Sequence, residues 1–210
     1  ECQNIDVEMS NEYPEIIDEN PGIICGDTQE EDYDNIEICH IRSIEDLIAF
    51  SNIVNSGKNF QGKTVILEND LNVKYIGSYA TKDQIEVGEM VTKLTSGNGF
   101  TPIGNSSTIN FAGTFDGNDK KLGGLYISNT NLDNAGLFGY TSNAVIKDFT
   151  LDSYIVRGKN NIGGLVGYVA AGNNDYSYST STIENTSTIP VINIGGLVGY
   201  SSSGTIEHCS

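Results

Sequence analysis

Apolar positions along this chain follow two rhythms. Over Ser43 to about Ser56 they fall at Ile44, Leu47, Ile48 and Val54, the spacing of one helical face. Ser43 with Asp46 three residues on is a capping-box pattern, and Gly57 supplies a C-terminal stop. Elsewhere the rhythm is that of short strands. Thr64 to Leu67 and Leu71 to Val73 are separated by the turn residues Glu68, Asn69 and Asp70. From Phe100 onward the runs follow one another as FTPIG, FAGTFDGN, KLGGLYI, AGLFGY, VIKDFTL, YIVRG, IGGLVGY, TIENT, VINIGGLVGY and TIEHC. The helix, residues 43–56, is expected to cap one end of what the strands build, where apolar side chains and unpaired edges would otherwise lie open.

One run recurs three times, as NAGLFGY at 134–140 and NIGGLVGY at 161–168 and 193–200. Gly139 precedes Gly167 by 28 residues and Gly167 precedes Gly199 by 32, a period that signals a solenoid or array. Paired glycines would cost a helix about 1 kcal/mol each relative to alanine, so the repeat reads as a β-coil. Leu137, Leu165 and Leu197 are expected to stack on one another and bury a core that no single repeat buries alone. A second apolar row is expected at Ile146, Ile183 and Ile206. Ile146 and Ile206 each follow the last glycine of their copy by 7 residues, whereas Ile183 follows Gly167 by 16. That difference predicts an inserted loop near residues 169–180. A second insertion is expected near 74–99, where the glycine-leucine core is missing, and about five or six rungs should separate Gly62 from the end. Hairpin turns in a β-sandwich are the alternative to a solenoid, and the near-identical triplicate opposes it.

These residues carry a family resemblance. NIGGLVGY followed by I-x-x-C resembles the GLUG repeat of large secreted or surface-anchored bacterial proteins, among them adhesins and the region preceding the protease domain of IgA-specific metallopeptidases. The segments I-x-S-x-E-D-L-x-x-F-S at 41–51, GKTVILENDL at 62–71, FTPIG at 100–104 and FAGTFDGN at 111–118 are similar to the same proteins. The resemblance spans about residues 38–210. Asp119 departs from it, standing where the family usually has glycine after FDGN. It implies an all-β chain, a right-handed parallel β-helix or close relative, and it carries no catalytic residue onto this sequence.

Composition narrows the function classes. Twenty-four glycines, four prolines and 38% apolar residues in 210 fit a turn-rich β protein. A formal charge of -17 opposes binding to nucleic acid or to an anionic membrane surface. No run has the length of a membrane-spanning helix. Residues 1–40 are strongly acidic with no lysine or arginine, yet Ile16, Ile17, Ile23, Ile24, Ile36 and Ile38 are too apolar for a wholly solvated tail. They are expected to pack on or lead into the solenoid of residues 41–210. Cys2, Cys25, Cys39 and Cys209 allow three disulfide connectivities, with Cys25 to Cys39 the candidate pin for the leading segment. The chain opens at Glu1 without methionine or signal segment, as a processed secreted protein or an excised piece of a longer one would, and ends after I-E-H-C-S without a capping sequence, so further repeats of a longer chain are expected.

Candidate chemistry is sparse. Asp116, Asn118 and Asp119 offer hard oxygen ligands for calcium, without the distal bidentate glutamate of an EF-hand. An Asx-type turn accounts for the same residues. Asp116 with Asp119, or Asp148 with Asp152, would supply the two carboxylates of a glycoside hydrolase, although turns and outward strand positions also explain them. Tyr75, Tyr79, Tyr176 and Tyr178, in the two inserted segments, are the candidate ligand-facing side chains; covering the flank of the coil would use them equally well. The expectation is a non-enzymatic extracellular module, adhesive or stalk-like, meeting a protein or glycan through loops and a flank. A carbohydrate-active β-helix enzyme and a substrate-binding accessory domain of a secreted protease are the alternatives.

Overall fold

A computed structural model describes residues 23–25, 30–72, 99–129, 131–175, 177–185 and 193–207. The chain is a β-solenoid. Its first sheet takes one strand from each turn: β1 (Ile23–Ile24), β2 (Ile38–Ile41), β3 (Thr64–Leu67), β5 (Thr114–Gly123), β8 (Ala144–Gly158), β10 (Gly172–Asp175) and β13 (Thr205–Glu207), in that order and all parallel. Alongside run β4 (Leu71–Asn72) on β5, and β6 (Tyr126–Ser128) and β11 (Ser177–Asn185) on β8. A second parallel sheet stacks β7 (Phe138–Thr141), β9 (Val166–Val169) and β12 (Val198–Ser201). Equivalent residues lie one turn apart, at separations of 31 for Asp116 and Lys147, 27 for Asn134 and Asn161, and 32 for Asn161 and Asn193. Among the described residues, β3, β5, β8 and β10 open four turns of this length, and β13 begins another.

The core follows from the register. Cys39, Val65, Phe115 and Ile146 form one inward row of the first sheet, every member 0–1% exposed. Leu71, Leu122 and Leu151 form a second such row. All seven phenylalanines are buried. Phe115 meets Phe138 edge-on at 5.3 Å and Phe149 at 5.5 Å, and Phe111 meets Phe138 at 5.2 Å, so rings from different turns are packed together. Each such side chain contributes about 1.5–3 kcal/mol on burial.

One expected row is corrected by the register. Asn174, and not Ile183, lies between Ile146 and Ile206, while Ile183 pairs with Val156. Segment 169–180 is therefore no insertion: β10 within it keeps the 7-residue step from Gly167, and a polar residue fills the position where isoleucine was sought. The other expected insertion, near 74–99, falls almost wholly outside the described residues, as do residues 1–22.

The helix α1 (Ile44–Asn55) forms for the reasons its sequence predicts. The Ser43 hydroxyl accepts the Asp46 N–H at 3.2 Å while the Asp46 carboxylate accepts the Ser43 N–H at 2.9 Å, closing the capping box. Leu47, Phe50, Ile53 and Val54 face the core, and Phe50 meets Phe60 at 5.0 Å and Phe111 at 5.6 Å. On its other side, Asn55 Nδ2 donates to the Pro102 carbonyl at 3.0 Å and Asn55 Oδ1 accepts from the Gly104 N–H at 3.1 Å. A side-chain amide thus supplies the donor and acceptor that a neighbouring strand would present. Ser51 Oγ adds a bond to the Thr101 carbonyl at 2.8 Å. Since Ile103 bridges to Phe138 of β7, α1 covers the leading edge of the second sheet. The first sheet runs past it into β2 and β1, where Cys25 is joined to Cys39 with Cα atoms 5.3 Å apart.

Candidate functional site

The repeat places identical side chains one above another on the second sheet. Tyr140, Tyr168 and Tyr200 are in register across β7, β9 and β12. Their ring centroids are 4.7 Å apart at an interplanar angle of 6°, then 4.9 Å at 35°. Such aromatic pairs stabilise by about 0.5–1.5 kcal/mol beyond their burial. The row opens toward solvent along its length, from half-buried Tyr140 and Tyr168 to Tyr200, which is 38% exposed. The three phenol hydroxyls have no hydrogen-bond partner among the described residues. Burial, and secondarily the neighbouring Tyr168, push the Tyr140 phenol above its ordinary value of 10.0, so it stays protonated and able to donate at neutral pH.

The first residue of each copy builds a second ladder. Asn161 Nδ2 donates to Asn134 Oδ1 at 2.8 Å, Asn193 Nδ2 donates to Asn161 Oδ1 at 2.9 Å, and Asn134 Nδ2 ends on the Asn105 carbonyl at 2.8 Å. Asn161 and Asn193 have φ of 44° and 76°, a left-handed backbone that asparagine tolerates better than most residues. The glycine before each tyrosine is required by contact. A Cβ at Gly167 would lie 2.7 Å from the Ala135 nitrogen, and one at Gly199 would lie 2.6 Å from the Ile162 nitrogen. The loop that opens each motif therefore closes tightly on the next turn, which holds the tyrosines at coil spacing.

The residues singled out from the sequence are placed as follows. Tyr75, Tyr79 and Tyr176 lie outside the described residues, and Tyr178 belongs to β11, where it pairs with Thr150. Asp116, Asn118 and Asp119 form a corner of the solenoid within β5, where the ladder with β8 shifts register between Asp116 and Lys120. Asp116 Oδ1 accepts the Asn118 N–H at 2.9 Å, an Asx turn, and its other oxygen holds Lys147. Lys147 also reaches Asp148 at 3.0 Å. Bonding to Asp116 first and Asp148 second raises the Lys147 ammonium above its ordinary value of 10.5. Two carboxylates considered for catalysis are thus brought together across adjacent turns, and both are engaged by one lysine. Among the described residues no three histidine, cysteine or acidic side chains converge as a metal site.

The tyrosine and asparagine ladders were not singled out from the sequence. Their signal was the constancy of the outer residues of the motif, the leading asparagine and the closing tyrosine, in every copy.

Among the described residues no helix is long and apolar enough to cross a membrane. No protein-family model matches the chain, and no solved structure matches it. A segment of halomucin from Haloquadratum walsbyi is 35% identical over 90 residues, 42% of this chain. The chain spans 1% of the length of that relative.

Proposed function

We propose that the chain is a surface module of the GLUG-repeat kind, a rigid solenoid that presents its tyrosine flank to a glycan or protein ligand. The observation that carries this reading is the row Tyr140, Tyr168 and Tyr200, stacked at coil spacing with hydroxyls that no described residue occupies. Stacked rings offer their edges and hydroxyl groups outward, so one extended ligand meets several equivalent contacts, each weak and all in one line. The partial match to halomucin and the solenoid fold support a surface or structural module. The in-register stacking of the two NIGGLVGY copies supports the repeat assignment. Asp116 is read as a turn-former paired with Lys147 rather than as a calcium ligand.

The test is a panel of immobilised glycans and matrix proteins, run with and without EDTA and with products examined for cleavage. Saturable binding that is insensitive to EDTA, and lost when Tyr140, Tyr168 and Tyr200 are all changed to serine, is the expected result. Released oligosaccharides would replace this reading with a carbohydrate-active enzyme. Silence across the panel would remove the adhesive role and leave a stalk.

A further inference from the structure

The loop between Gly104 and Phe111 carries chemistry that the tyrosine flank does not use. Asn105-Ser106-Ser107 is an asparagine followed two residues later by a hydroxyl side chain with no proline between, the acceptor pattern for N-linked glycan transfer. The pattern recurs at Asn185-Thr186-Ser187, where residues 186 and 187 lie outside the described residues. Short patterns of this kind are common by chance, so the surroundings of Asn105 decide the matter.

Asn105 and Ser107 are both exposed. The loop folds back on itself: the N–H groups of Asn105 and Ser106 both donate to the Ile109 carbonyl, at 2.8 and 3.0 Å, and the Ile109 N–H returns to the Ser106 carbonyl at 3.2 Å. Ser106 Oγ and Thr108 Oγ1 share a hydrogen bond at 3.3 Å, and Asn110 Nδ2 donates to the Ser107 carbonyl at 2.9 Å. Two polar side chains of residues 105–110 are left without a hydrogen-bond partner among the described residues, the Asn105 amide and the Ser107 hydroxyl. Those are the two groups the transfer uses. The asparagines of the nearby ladder differ on both counts, because Asn134, Asn161 and Asn193 spend their amides on one another or on Asn105 and have glycine two residues on. The ends of the loop are fixed by buried Ile103 and Phe111, bridged to Phe138 and Thr141.

We infer that Asn105 is a glycosylation site, taking an oligosaccharide from a polyisoprenyl-phosphate-linked donor. The Asn105 Nδ2 forms a bond to the anomeric carbon of the sugar. The bond from that carbon to the donor phosphate oxygen breaks, the lipid phosphate leaves with the electron pair, and the amide proton passes to a base of the transferase. The inference rests on the surface reading, since the donor and transferase meet only chains that leave the cytoplasm. The glycan would emerge at the foot of the asparagine ladder, one bond from Asn134.

The folded chain, extended by a tag bearing an independent acceptor triplet, is incubated with purified oligosaccharyltransferase and lipid-linked oligosaccharide. Intact mass and glycopeptide mapping then locate the sugar. Expected is a glycan on Asn105 that peptide N-glycosidase removes, that Asn105→Gln and Ser107→Ala each abolish, and that Asn185→Gln leaves in place. A glycosylated tag beside an unmodified Asn105 overturns the inference, as does modification that survives Ser107→Ala. Circular dichroism of each variant checks that the fold is retained. Failure of the adhesive reading registers separately, in the ligand panel, which does not involve Asn105.

Discussion

Replacing Asn161 separates what its side chain does from what its backbone requires. The side chain donates to Asn134 at 2.8 Å and accepts from Asn193 at 2.9 Å, and the residue holds φ at 44°. Asn161→Gly deletes both hydrogen bonds and leaves the backbone unstrained. At about 0.5–1.5 kcal/mol net for each bond, the loss is about 2 kcal/mol, reduced where the half-buried partners turn to water. Asn161→Ala deletes the same bonds and, like wild type, keeps a Cβ in the left-handed region, but without the polar side chain that lets asparagine tolerate it, so it should lie about 1–2 kcal/mol below the glycine variant. The expected order of stability is wild type, then glycine, then alanine. Urea unfolding followed by far-ultraviolet circular dichroism reads the order from the midpoints, provided the slopes agree. An alanine variant as stable as the glycine variant would refute the backbone argument, and a glycine variant matching wild type would show that the ladder contributes nothing.

Four further expectations follow from the geometry. Gly164→Ala drives a methyl group into the Tyr154 ring and should destabilise by about 1–3 kcal/mol, seen as a lower thermal midpoint; an unchanged midpoint would mean the ring moves aside freely. Asp119→Gly relieves a φ of 56° at the solenoid corner and should raise stability by roughly 0.5–1 kcal/mol in the same urea assay, whereas a loss would assign the Asp119 carboxylate a stabilising contact. Changing Cys25 and Cys39 to serine opens a cross-link between residues 14 apart and should cost about 3 kcal/mol, with reduction of the native chain giving the same shift. The last expectation concerns pH. Lys147, Tyr140 and Tyr33 all hold their protons more tightly when folded, through Asp116 and Asp148 for the first and through burial chiefly for the tyrosines. Their contributions are therefore complete below the unfolded values of 10.5 and 10.0 and are lost as pH rises through the higher folded values. Urea midpoints should fall above that range, less steeply in Lys147→Met, and an equally steep fall in that variant would sink the assignment to Lys147.

What the sequence disclosed depended on whether the determinant was local. The α1 boundaries were legible because Ser43 and Asp46 satisfy each other within one turn of chain. The stacking of Leu137 under Leu165 was legible because each copy repeats its whole surroundings. The Ile183 assignment failed because it assumed that the positions in register with Ile146 are apolar throughout, while the actual neighbour of Ile146, Asn174, sits in the run GNND that reads as a turn. Asn55 was beyond reach: nothing near it in sequence announces that its amide will meet Pro102 and Gly104 some fifty residues on. The tyrosine row lay in plain view, in the last letter of each repeat, yet its stacking depends on a register that only the paired strands fix. The corner at Asp116 was found as a turn, but its ion pair with Lys147 comes from the adjacent turn.

The parallel pairing also sets how the molecule would bear tension. Hydrogen bonds between turns point along the stacking direction, so a pull in that direction loads the seams in series, and within any one seam the bonds share the force. Failure then begins at the seam with the fewest bonds. Among the described residues, the seam between β1 and β2 has two paired positions, Ile23 with Cys39 and Ile24 with His40, where the next seam, between β2 and β3, has four. It is also the seam crossed by the cystine. A covalent rivet stands across that join, and load on the stack passes to the seams beyond it.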